Sequence, residues 1–157
     1  MDVVAAYQEA RRDEESSRLR RALALRALLA AGMSQRDVAE VLGISQPAVS
    51  QQLKHAPELS DIEPQELMKA AGPVLHAFAL ERGYTRLAVF GSVARKEARR
   101  DSDIDLLVQP PPKTSSFDFL QFKQQLETVL GRPIDLIDYR GLKPGIDDDI
   151  KREAMLL

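Results

Sequence analysis

Cysteine and tryptophan are absent from the 157 residues, and aromatic residues make up only 5%. The first absence excludes disulfide frameworks, thiolate zinc sites and cysteine nucleophiles. The scarcity of large rings leaves the core to Leu, Val, Ile and Ala. Histidine is nearly as rare: His55 and His76 stand isolated, which argues against a histidine metal cluster. No apolar run approaches the ~18 residues of a membrane span, and the amino terminus lacks the basic-then-apolar order of a secretory signal. A soluble cytoplasmic chain with no membrane partner is therefore expected. Charge of one sign is lacking too, with a net charge of -2. Residues 1–56 carry 8 Lys+Arg against 7 Asp+Glu, and 57–157 carry 14 against 17. With no basic stripe, any contact with nucleic acid must come from local arrangement.

What is present is ordinary globular material, 44% hydrophobic and 29% charged. From Asp2 to Ala31 the chain is rich in Ala, Leu, Arg and Glu without Gly or Pro, which predicts helix up to Gly32. The polar residues 2–14 read as a separate helix or a frayed arm. Ala56-Pro57 to Glu63-Pro64 carries two prolines and three acids, and reads as a linker. The chain divides accordingly into 1–56, a linker over 57–72 and 73–157. A helical stretch to Arg82 is expected to break at Gly72-Pro73, where a new helix can start. Short apolar runs at 87–90, 104–108 and 134–137 predict three strands. Between the last two, Phe119, Phe122, Leu126 and Val129 mark a helix over about 116–130, capped by Ser115 or Ser116. A last helix is expected from Ile146 to the end.

Residues 34–54 combine several signals. Ser34 can cap a short helix containing Val38 and Ala39, Gly43 permits a tight turn, and Ile44 plugs it. Ser45 caps a second helix with Pro47 in its first turn and with Val49 and Leu53 inward. Its outward residues Gln46, Ser50, Gln51 and Lys54 are mostly uncharged hydrogen-bonding groups, suited to base edges in a major groove. Gln35, Arg36 and Ser45 are placed for backbone phosphates. The plainer reading is a three-helix bundle with a polar surface. The stretch resembles the helix-turn-helix of bacterial transcriptional regulators. With so little local charge, DNA binding would call for a homodimer.

The second signal is Gly91-Ser92, ten residues, then Asp103-Ile104-Asp105. A strand ends at Gly91 and a helix begins at once, so free amide groups and the Ser92 hydroxyl form an anion site. On a strand, Asp103 and Asp105 point to one face while Ile104 and Leu106 enter the core. Paired carboxylates repel unless a cation lies between them, and oxygen donors without histidine favour magnesium. Asp135, between Ile134 and Leu136, offers a third carboxylate, sufficient for two metal ions that polarise a triphosphate. Singly, each feature reads as a turn or a solvated strand end.

Together they resemble the minimal nucleotidyltransferases of the polymerase-beta-like superfamily, and the antitoxin half of the pairs whose toxin is a helical HEPN ribonuclease. The likeness covers about 85 residues, including Gly131-Arg132-Pro133-Ile134-Asp135-Leu136-Ile137 and Leu142-Lys143-Pro144. It implies an all-α helix-turn-helix domain followed by a small α/β (α+β) domain with a short mixed sheet. It implies that Gly91 and Ser92 hold the triphosphate of ATP and that Asp103 and Asp105 bind Mg2+. Asp135 would complete the metal site or act as base, and a toxin tyrosine would be the acceptor. Lys96 departs from the pattern, since such proteins often carry Gly there. It makes the segment after Ser92 more basic, with Arg95 and Arg99 as candidate nucleotide contacts beside Lys96 and Arg100.

Four features are set aside. His55 and His76 read as surface or satisfied positions. Asp147-Asp148-Asp149 suits a helix start. Tyr139 and Arg140 follow the third strand and could line the site. The resulting expectation is an adenylylating antitoxin that represses its own operon through the DNA-binding half. Its rivals are a repressor whose second half only binds nucleotide or partner, and an antibiotic nucleotidyltransferase, disfavoured because little chain remains to enclose a drug.

Overall fold

The computed structural model describes residues 2–157. Helix α1 (Val3–Ala30) is continuous, opened by the Asp2 side chain, which accepts the Val4 N–H at 3.0 Å. The polar residues 2–14 are therefore the first half of one rod, not a separate helix. Helix-favouring residues run through the junction without a breaker. Helices α2 (Gln35–Leu42) and α3 (Gln46–Lys54) follow, joined through Gly43 at φ +68°. Ser34 and Asp37 form a reciprocal capping box, and Ser45 accepts the Ala48 N–H at 3.2 Å. Val38, Ala39 and Val49 close on Leu25 of α1, with Ile44 and Leu53 packed at the edge.

After a single 3-10 turn at Leu59–Asp61, α4 (Pro64–Glu81) passes through Gly72-Pro73 without a break. This corrects the expected interruption. Pro73 is exposed while Leu67, Met68, Ala71, Leu75 and Phe78 are buried on the opposite side. Burial of that stripe outweighs the ~3 kcal/mol that an internal proline costs.

The sheet is mixed, in the order β3 (Ile134–Asp138), β2 (Ile104–Gln109), β1 (Thr85–Phe90), β4 (Met155–Leu156). β1 pairs antiparallel with β2, and β2 pairs parallel with β3. Helix α6 (Ser116–Leu130) is capped at both ends, by Ser115 with Asp118 and by Gly131 at φ +67°. The carboxyl-terminal region differs from expectation. Helix α7 (Asp148–Glu153) is six residues long, and Met155–Leu156 forms β4 antiparallel to β1. Tertiary pairing has claimed residues too few to show a strand pattern.

The sheet's inner face (Leu87, Val89, Ile104, Leu106, Val108 and Ile134) packs on α4 and α6 and also takes in Leu19, Leu23 and Ala27 of α1. Helix α1 therefore contributes to two cores at once, this one and that of α2 and α3. On the other face Ala88, Phe90 and Leu107 are covered by Tyr139, Leu142, Ile150 and Ala154. Among the described residues, no helix is long and apolar enough to cross a membrane.

Candidate active site and nucleic-acid interface

The strand register decides where the chemistry collects. Phe90 is the partner of Asp105, and Asp105 is the partner of Asp135, so one line across the sheet carries both acids. Its β1 member is Phe90, and Gly91 follows directly. Phe90, Asp105 and Asp135 share the outer face, because Ile104 and Leu106 alternate inward. Gly91 has φ +71°, and a Cβ there would overlap Asp105 Oδ2 and lie 2.9 Å from its Cγ. Glycine is needed twice over, for the left-handed backbone and for the carboxylate pressed against it.

Asp105 is half-buried and its pKa is raised to about 6. Burial is the largest cause, followed by the charge and hydrogen bond of Asp135 and the charge of Asp103; Arg95 opposes them. The register thus sets Asp105 beside Asp135 on adjacent strands, while Asp103, exposed just ahead of β2, acts through charge. Among the described residues, no three His, Cys, Asp or Glu side chains form a ready-made metal cage. The donor set nevertheless suits a hard divalent cation. It is all oxygen, it holds repelling carboxylates, and a glycine leaves room for one of them.

Ser92 is half-buried at the start of α5 (Gly91–Ala94). That helix is a single turn, shorter than the basic helix expected. Lys96 then takes φ +59°, the conformation in which glycine costs least, which explains why the position suits Gly. Arg99 and Arg100 consequently fall in the loop before Asp103, where the Arg99 N–H donates to Ser102 Oγ at 2.8 Å. Arg95 alone of the four basic residues is tied into the site.

Its partner, Glu153 of α7, carries no sequence signal. Glu153 Oε1 accepts the Gly91 N–H at 2.9 Å, and both its oxygens accept from Arg95 Nη1 at 3.2 and 3.0 Å. A carboxylate of the chain itself therefore rests where an anion was expected. No spacing rule links residues 91 and 153; the β4 pairing and the packing of Ile150 and Ala154 on the sheet bring them together. On the same sheet face, Arg86, Tyr139, Arg140 and Lys151 line a cavity of about 580 Å³. The Arg86 guanidinium lies 4.2 Å over the Tyr139 ring, and the Tyr139 O–H donates to Arg86 O at 2.9 Å. Arg140 is bound to Asp138.

In the helical region, Arg36, Gln46, Pro47, Gln51 and Lys54 are exposed, whereas Gln35 and Ser50 are half-buried. Gln46 Nε2 donates to Gln35 Oε1 at 2.9 Å, so two of the candidate DNA contacts hold each other in place. Ser45 Oγ spends an acceptor on its cap and keeps its O–H to donate. His55 and His76 are both exposed.

Comparison with known proteins gives matches to both halves. The family model described as polymerase beta, nucleotidyltransferase matches residues 78–157, and a homeodomain-like domain matches residues 15–58. "Putative protein adenylyltransferase MJ0435" of Methanocaldococcus jannaschii is 37% identical over 90 residues, covering 57% of this chain and 92% of that protein. Protein adenylyltransferase MntA of Thermococcus cleftensis is 38% identical over 73 residues, covering 46% and 74%. A solved structure described as a "putative minimal nucleotidyltransferase" superposes with a TM-score of 0.56 at 38% identity, covering 62% of this chain and 99% of that one.

Proposed function

The chain belongs to the polymerase beta nucleotidyltransferase family, and on that premise we propose that it transfers AMP from ATP to a hydroxyl of a partner protein. The partner is a HEPN-type toxin, with a tyrosine as acceptor, and α3 binds operator DNA so that the chain regulates its own transcription. The observation that carries the reading is the row Phe90–Asp105–Asp135 across the sheet, with Gly91 set against the Asp105 carboxylate. The names borne by the relatives support a protein acceptor.

Asp103 and Asp105 would hold Mg2+, with Asp135 as third ligand or base. The metal, when bound, neutralises the triphosphate and lowers the cost of charge on the departing pyrophosphate. The chain's own groups do the rest. Gly91 and Ser92 receive the phosphates, and Arg95 supplies positive charge. Asp135 takes the proton as the acceptor oxygen bonds to the α-phosphorus, and the bond to the bridging oxygen breaks to release pyrophosphate. In the DNA-binding half, Gln46, Pro47, Ser50, Gln51 and Lys54 face the groove, and Gln35, Arg36 and Ser45 face phosphates.

The test is transfer of labelled AMP to the protein encoded beside this chain. Asp105→Asn should abolish labelling, at least 100-fold, while the circular dichroism stays unchanged. Labelling at the wild-type rate would refute the reading. One observation favours a second reading, a repressor that senses nucleotide without turnover. Glu153 already occupies the Gly91 N–H and Arg95, so nucleotide could act by displacing α7. That reading predicts ATP binding with no labelled product and operator affinity that changes with ATP.

A further inference from the structure

Helix α1 is 28 residues long, yet residues 2–18 are exposed apart from Ala6, which is half-buried. Val3, Val4 and Tyr7 are 82%, 63% and 68% exposed. A helical arm of this length is marginal in water when it packs against nothing, and β-branched residues weaken it further. The arm also carries a pattern. Val3, Tyr7, Ala10, Glu14, Ser17, Arg21, Ala24, Leu28 and Ala31 recur at alternating steps of four and three, which places them on one stripe.

The second half of that stripe opens on a groove of about 550 Å³ between α1 and α4. Ala24, Leu28 and Ala31 form one wall, and Val74, Ala77 and Phe78 the other, with Arg20 and Arg21 at the rim. The arm thus has an apolar face without a groove, and further along the same stripe lies a groove without an occupant. Charge runs in the matching sense. Asp13 and Glu14 precede Ser16-Ser17, and Arg20 and Arg21 follow it. Turned antiparallel about Ser17, two copies of α1 bring acids against bases on both sides of a small residue that permits close approach. The same turn lays Val3, Tyr7 and Ala10 of each copy along Ala24, Leu28 and Ala31 of the other.

We propose that this groove receives the amino-terminal arm of a second copy of the chain. The dimer is two-fold and reciprocal, with Glu14 facing Arg20 and Asp13 facing Arg21 across the axis. Each contact is made twice, as an isologous interface requires. Two-fold symmetry also matches the paired half-sites that helix-turn-helix proteins read.

Sedimentation equilibrium of the full chain at ~10–100 μM, in the range where modest interfaces associate, should give twice the chain mass. Tyr7→Glu should weaken association at least tenfold, as should Glu14→Arg. Val3→Glu, further out on the arm, gives the same reading should Tyr7→Glu disturb the helix by circular dichroism. Adding Arg20→Glu to Glu14→Arg in one chain exchanges the charges and should restore the dimer. A monomeric wild type, a Tyr7→Glu chain that still dimerises, or a double variant that stays monomeric would each overturn the proposal.

Discussion

Gly91 leaves no room for a side chain beside Asp105, so each makes the other sensitive to change. Gly91→Ala sets a methyl group into the Asp105 carboxylate while keeping φ +71°. The backbone term alone costs ~1–3 kcal/mol, so chemical denaturation should show a loss of at least that size, together with loss of nucleotide transfer. Asp105 sets a pH dependence of definite sign. Its pKa of about 6 in the folded chain lies above the ordinary carboxylate value, so the folded state holds the proton more tightly. Its contribution is fully present below pH ~4, the unfolded carboxyl range, and is lost as pH rises through about 6. Metal-free wild-type protein should therefore lose melting temperature over that window relative to Asp105→Asn. Parallel curves for the two proteins would show that the carboxylate is not perturbed.

Among the elements, α1 does more than its sequence announces. Arg26 Nε donates to Val129 O at 3.0 Å and its Nη2 to Thr128 O at 2.6 Å, satisfying carbonyls at the end of α6. Arg26→Ala should cost ~1–2 kcal/mol, the worth of charge-assisted hydrogen bonds, without changing the Asp105 titration. Thermal melts and carboxyl NMR would separate the two effects. Elements with local signals were legible beforehand: Ser115 and Gly131 delimit α6 at 116–130, and Ser34, Gly43 and Ser45 delimit α2 and α3. The failures have long-range causes. Pro73 survives within α4 because burial outweighs it, and β4 exists only because β1 offers an edge. For the site, Asp105 and Asp135 were readable because strand alternation fixes their face. Glu153 was not, because no local rule joins α7 to Gly91.

At the scale of the whole molecule, the boundaries proposed at 1–56, 57–72 and 73–157 cut across shared packing. Leu19, Leu23 and Ala27 belong to the core under the sheet, and Leu25 to that of α2 and α3. Arg132 adds a second tie, donating to Leu59 O at 2.7 Å and Ile62 O at 2.8 Å. Two cores that share one helix should unfold together, so calorimetry should give a single transition with equal calorimetric and van't Hoff enthalpies. Two resolved transitions would mean that the halves are energetically independent.

The Glu153 carboxylate on the Gly91 N–H has a consequence for anyone measuring affinity. A phosphate arriving there makes an exchange and not an addition, because the tenant must leave before the guest can settle. The observed dissociation constant is then the intrinsic one divided by the fraction of molecules whose seat is free. Millimolar nucleotide affinity would on this account be the ordinary behaviour of a working protein, and Glu153→Gln should tighten it.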